Sequence, residues 1–346
     1  RVESHLIIFF YYKFFYSIVD ICMKIRDLDF ADTAVLHDHE VLGLPPLERQ
    51  IAQASIHPIL KTASYLTVAT VFALAVYLVT QLFFGAHPSS GMELITSALH
   101  NPLFWSSLLV GLLAQVVDGA LGMAYGITSS SFLLASGASP ALATGATHLA
   151  EVFTTGVSGV SHVKLGNVNK KLFLNLLIPG LIGVLLGAYI ITNIDGNIIK
   201  PYINGYLFLM GLYVLSKAFR RITLKTDVES AKVAPLAVFG GFMDTVGGGG
   251  WGPIVTTSLV GAGHNPRTTI GSVNFAEFFL TVASATAFFA LLDGQVWVIV
   301  AGLVIGGLFA APFAAYATRH FKTKTLLILV GCLISCVSLY NLSKLF

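Results

Sequence analysis

From Asp118 to Ser158, a series of residues returns unchanged 126 places later. Asp118 pairs with Asp244, Gly122 with Gly248, Gly126 with Gly252, Pro140 with Pro266, Gly145 with Gly271, Glu151 with Glu277, Thr155 with Thr281 and Ser158 with Ser284. Beyond Ser158 the register slips slightly, so that Gly166-Asn167-Val168 faces Gly294-Gln295-Val296. Agreement at one fixed offset over this length marks a duplicated unit, and a duplicated unit governs the whole architecture.

The solvent for that unit follows from composition. Of 346 residues, 55% are hydrophobic and 11% are charged, whereas soluble domains carry about 25% charge. Mean hydropathy is +0.80. So few charges cannot cover a water-soluble fold of this size, which makes the chain an all-α integral membrane protein. Apolar runs bounded by Gly, Pro or charge occupy 61–84, 103–137, 140–162, 171–194, 201–220, 233–262, 266–291, 295–318 and 323–345, and crossing a bilayer takes about 20 apolar residues. The apolar stretch Leu6–Val19, with Lys13 inside it, lacks the charged start and cleavage site of a signal peptide and reads as an interfacial helix.

Two runs are interrupted, at Asp118-Gly-Ala-Leu-Gly-Met-Ala-Tyr-Gly126 and at Asp244-Thr-Val-Gly-Gly-Gly-Gly-Trp-Gly252. In the first, 103–117 rises about 22 Å and 127–137 about 16 Å, too short for a core of about 30 Å. Each is then one bent span or a re-entrant hairpin. Lys and Arg mark cytoplasmic loops. They gather at Arg49 and Lys61, at Lys164, Lys170 and Lys171, at Arg220, Arg221, Lys225 and Lys232, and at Arg319, Lys322 and Lys324, while 85–101, 195–200 and 292–295 are poor in them. All the rich loops fall on one side only if both interrupted runs are hairpins. The expected architecture is two inverted repeats, 101–222 and 233–346, each a glycine-rich hairpin plus three transmembrane helices. An extra span, 61–84, and an interfacial or cytoplasmic segment, 1–60, precede them, with the N-terminus inside and the C-terminus outside. Inverted repeats with broken helices near mid-membrane are a secondary-transporter architecture, and unwound backbone there has to line a cavity or be buried in protein.

The polar residues of these spans share faces. Thr144, His148, Glu151, Thr155 and Ser158 follow spacings of 4, 3, 4 and 3, and Ile270, Asn274, Glu277, Thr281 and Ser284 repeat them. An ionised carboxylate at mid-span costs at least about 2.5 kcal/mol, so such a residue is a functional candidate. Glu151 and Glu277 are therefore read as proton-coupling groups, with Asp118 and Asp244 beside them at the inner ends of the entering half-helices. The two Asp residues also fit a capping role. Glycine-loop amides and helix N-termini pointing at a cavity suit an anion. Arg267 fits either a topology anchor or an anion contact at the entrance.

The segments VDGALGMAYGITSSS, ATHLAEVFTTGVSGVSHVKLGNVN, GGFMDTVGGGGWGPIVTTSL and IGSVNFAEFF resemble the TauE/SafE family of sulfite exporters over about residues 100 to 346. The resemblance implies a transporter of small sulfur-containing anions such as sulfite or organosulfonates, with glycine segments Gly119–Gly126 and Gly247–Gly252 at the substrate. The candidate substrate-binding residues are Gly119, Gly122, Tyr125, Gly126, His148, Thr245, Gly248, Gly249, Gly250, Trp251, Arg267 and Asn274.

Other classes fit less well. A cation carrier or channel would use His148, Glu151, Glu277 and the two Asp residues as ligands, and a membrane anchor would use 24–60 to recruit a partner. The run His37-Asp38-His39-Glu40 reads as a solvated loop, because only His57 stands near it to complete a metal site. Cys332 and Cys336, four apart, read as small packing residues. With no nucleophile set, the chain is not expected to be an enzyme. Without a GxxxxGK[ST] motif it has no ATP site of its own. No cofactor, metal or nucleic acid is expected. The partners are a small sulfur anion and membrane lipid in a multi-pass protein of the cytoplasmic membrane, and a homo-oligomer stays open.

Overall fold

The computed structural model describes residues 56–84, 91–121, 125–219, 233–262, 264–289, 298–310 and 323–344. The apolar stretch 6–19, the run 37–40, Gly122, the basic loop 220–232 and the loop 292–295 lie outside them.

Every described element is helical. In chain order they are α1 (Pro58–Phe84), α2 (Gly91–His100), α3 (Pro102–Leu121), α4 (Tyr125–Ala135), α5 (Pro140–Lys164), α6 (Lys170–Asn193), α7 (Gly196–Lys217), α8 (Val233–Gly247), a π-helical turn (Gly252–Thr256), α9 (Thr257–Gly261), α10 (Pro266–Phe289), α11 (Val298–Ala310) and α12 (Thr323–Ser343). Local chemistry sets the starts. Ser139 accepts from the Leu142 amide at 3.3 Å with Pro140 at the first helical position, and Asn169 accepts from the Leu172 amide at 3.0 Å. Asp195 accepts from the Asn197 amide at 2.8 Å. That cap starts α7 at Gly196 rather than at 201, leaving Pro201 inside the helix in its second turn.

Among the described residues, four segments are long and apolar enough to cross a membrane: Pro58–Tyr77, Lys170–Asn193, Gly196–Lys217 and Thr268–Phe288. Their outer faces show large apolar side chains, among them Tyr65, Phe72, Ile178, Ile182 and Leu185, an exposure that water would penalise and lipid accommodates. Cys332 and Cys336 are exposed as well. They belong to this outer surface and not to the packing expected of them, because their face of α12 points away from its neighbours.

The two interrupted runs are broken, with boundaries different from those expected. The first helix continues through Asp118 and Gly119 to Leu121, a rise of about 30 Å instead of about 22 Å. A glycine inside a helix costs only about 1 kcal/mol, and the following Ala120 and Leu121 are good helix formers. Length alone therefore does not separate this half-helix from a crossing. In the second run α8 ends at Gly247, and Gly248, Gly249 and Gly250 take φ of +68°, +135° and +152°. Side chains rarely adopt those values, and the chain leaves the helix there. The pieces that follow both interruptions are enclosed: Tyr125–Ser131 and Gly252–Thr256 are buried throughout.

Glycines let the helices meet backbone to backbone. Gly156 and Gly159 of α5 lie against Phe278 and Phe275 of α10, and Gly183 of α6 lies against Val238 and Phe242 of α8. Gly302 and Gly306 of α11 sit on Phe104, Ser107 and Leu108 of α3, while Gly211 of α7 faces Ser335 of α12. Close approach through small residues is how helices associate where lipid removes the hydrophobic advantage of burial. The effect is to press α5, α10 and both helix breaks into the centre of the unit.

Candidate functional site

Each break is tied by its own aspartate. The Tyr125 amide donates to Asp118 Oδ1 at 3.3 Å, and the Trp251 amide donates to Asp244 Oδ1 at 2.9 Å. Donors and acceptors are seven residues apart in both cases, and the two pairs stand 126 positions apart (244 − 118 and 251 − 125). The carboxylates satisfy amides that a returning helix start would leave without partners. The aromatic side chains are anchored too: the Tyr125 hydroxyl donates to the Leu303 carbonyl at 3.2 Å, and Trp251 Nε1 to the Val273 carbonyl at 3.1 Å. Trp251 is fully buried, against Gly180 and Gly240.

The breaks then meet each other. A Cβ built on Gly126 would lie 2.7 Å from Gly249 Cα and 2.9 Å from Glu151 Oε1. Two hydroxyl groups hold the second break in place: Ser130 donates to the Gly248 carbonyl, and Tyr206 of α7 donates to the Gly249 carbonyl at 3.3 Å. Ser130 also bonds Thr147 Oγ1 at 3.1 Å. Neither Ser130 nor Tyr206 stands out in the sequence as a site residue. The hydroxyl run Thr128–Ser131 offered a signal for the first, since hydroxyls on a short buried helix need partners. Tyr206 sits in an ordinary apolar span and offered none.

Beside this junction lie His148, Glu151 and Asp244, with relative exposures of 0%, 4% and 2%. His148 Nε2 is 3.3 Å from Asp244 Oδ2 and 3.8 Å from Glu151 Oε2. Its Nδ1 is bonded to Ser284 Oγ of α10. Nε2, Oδ2 and Oε2 have no hydrogen-bond partner, and neither has Asn274 Oδ1, which is also buried. Buried polar atoms without partners are rare enough to mark a place where something else bonds. Glu277 and Asp118 are only partly buried and lie within Coulombic reach of Glu151.

The remaining expected residues are placed as follows. Thr245 is buried with its side chain toward Gly187 of α6. Gly119 lies in the last turn of α3. Arg267 is the second residue of α10, ten residues from Glu277 and about 15 Å along the axis. Among the described residues no group of three or more His, Cys, Asp and Glu has metal-holding geometry.

A multi-helix bundle with apolar outer faces and a buried, partly unsatisfied polar junction of broken helices defines a membrane transporter. The chain belongs to the TauE/SafE sulfite exporter family, whose model matches residues 107–341. It is 43% identical over 239 residues to the "Probable membrane transporter protein YtnM" of Bacillus subtilis, covering 66% of this chain and 79% of that protein. It is 24% identical over 260 residues to the "Probable membrane transporter protein YunE" of the same organism, covering 65% and 94%. No solved structure matches the chain.

Proposed function

We propose that the protein is a proton-coupled secondary transporter that moves a small sulfur-containing anion, such as sulfite or an organosulfonate, across the cytoplasmic membrane. The anion binds where the two glycine breaks meet. The two halves are inverted repeats with re-entrant hairpins, the N-terminus lies inside and the C-terminus outside. The observation that carries this reading is the convergence of His148, Glu151 and Asp244 at the contact between Gly126 and Gly249, with polar atoms left unbonded there. Membership of the TauE/SafE family supports the substrate class.

A carrier of cations is the second reading, because carboxyl groups outnumber the single imidazole in the cluster. Flux measurements in proteoliposomes separate the two. Uptake of sulfite or isethionate that rises with an imposed pH gradient, without transport of a divalent metal, is the expected result. Metal flux without anion flux would overturn the proposal.

A further inference from the structure

His148 stands between two carboxyl groups, within ion-pair distance of both and hydrogen-bonded to neither. Its Nδ1 is held by Ser284, and its Nε2 faces Asp244 Oδ2 at 3.3 Å and Glu151 Oε2 at 3.8 Å. Asp244 is divided in function: Oδ1 bonds the Trp251 amide and fixes the glycine break, while Oδ2 is aimed at the imidazole with no hydrogen bond of its own. The ionisable groups around this pair come from every packed element: Glu151 on α5 itself, Glu277 on α10, Asp118 on α3, Tyr125 on α4 and Tyr206 on α7. None of these carries positive charge. In the described helices each Lys and Arg falls within the first or last five residues. Among the described side chains His148 is thus the basic group of the cluster, and Asp244 already faces it.

Two like charges held side by side in a buried site, where little water screens them, repel strongly. An ionised Asp244 and a bound anion cannot both lean on one imidazolium at that cost. We infer that the transported anion and the Asp244 carboxylate compete for His148, and that one proton taken up at Asp244 Oδ2 hands the imidazolium to the anion. This rests on the transport reading above and specifies how proton and anion are linked at that site. The charges balance: carboxylate, proton and anion become carboxylic acid and bound anion, and the proton departs when the anion does. Once protonated, Oδ2–H turns from competitor into donor and joins Nε2–H on the anion. Oδ1 stays on the Trp251 amide throughout, so the glycine break need not unravel.

The test uses the full chain in detergent and isethionate as probe. A sulfonate stays ionised over the whole working range, so any pH dependence belongs to the protein. Titration calorimetry in two buffers of different ionisation heat counts the protons taken up per anion, and one is expected. Raising the pH strips that proton, so the isethionate Kd should rise by up to about tenfold per pH unit on the alkaline side. Asp244→Asn keeps the oxygen that bonds Trp251 and places a donor where Oδ2–H would be. It should take up one proton fewer per isethionate bound than the wild type, show a correspondingly shallower dependence of Kd on pH, and lose accumulation driven by a pH gradient. His148→Gln should lose binding at every pH while eluting like the wild type. Binding by the wild type without proton uptake overturns the inference whatever the variants do, and so does an Asp244→Asn variant that keeps the wild-type slope. Nitrate and chloride serve as parallel probes. Binding of these without any sulfonate overturns the sulfur-anion reading alone, and the same slopes then decide the inference. Binding of none of the probes overturns both.

Discussion

Gly126 and Gly249 face each other with no room for a side chain on either. A Cβ on Gly126 would lie 2.7 Å from Gly249 Cα, and one on Gly249 would fall on the Gly126–Ile127 peptide. The two glycine breaks are therefore one structure, built half from each sequence repeat.

Substitution at this contact should be costly for two separate reasons. Gly249→Val introduces both a clash and a side chain at φ +135°, a strain of order 1–3 kcal/mol before the clash is counted. It should abolish anion binding and flux more than expression. Gly205→Ala is the control: its Cβ meets nothing within 4 Å, and flux should persist. Retained flux in a monodisperse Gly249→Val protein would leave the glycines as packing residues only.

Tyr206 bears on the same loop through a single hydrogen bond. Tyr206→Phe removes the donor to the Gly249 carbonyl and keeps the ring that lies against Gly247. A lost hydrogen bond is worth about 1 kcal/mol, so substrate affinity should fall several-fold with little change in thermal stability. Unchanged affinity would show that the loop is held without Tyr206.

Glu151 and Glu277 occupy equivalent positions, 126 apart. Glu→Gln preserves shape and hydrogen bonding and forbids titration. Either substitution should leave anion binding in place and remove uptake driven by a pH gradient. Undiminished driven uptake in both variants would take these residues out of proton coupling, and a loss confined to metal binding would favour the cation reading.

Topology is tested by accessibility. If the repeats are inverted, a cysteine at Asn197 should be labelled from outside by an impermeant reagent, and one at Thr226 from inside. Labelling of both from the same side would sink the inverted arrangement.

The carboxyl groups, the imidazole and both glycine breaks were all visible in the chain, because a charge inside an apolar run and a repeat at a fixed offset are properties of one dimension. The end of α3 was misplaced: the cost of Gly119 in a helix is small and its neighbours outweighed it. Tyr206 was invisible as a site residue, and the hydroxyl run hinted at Ser130 without naming its partner, because their acceptors, the Gly249 and Gly248 carbonyls, lie 43 and 118 residues away.

Sequence by itself determined that the chain lives in a membrane, that residues of its first half recur at a fixed offset in its second, and that acids and one histidine fall inside apolar runs. Each of these follows from hydropathy, period or spacing, which need no partner. Tertiary structure alone decided that Asp244, and not only the neighbouring Glu151, faces His148, and that Ser284 of α10 holds the ring from behind. Residues 96 and 136 positions apart come within bonding reach because α5, α8 and α10 meet where the glycines allow it. Which carboxyl neutralises a buried imidazole is set by ångström-scale distances, and helix packing fixes those distances only after the chain has folded.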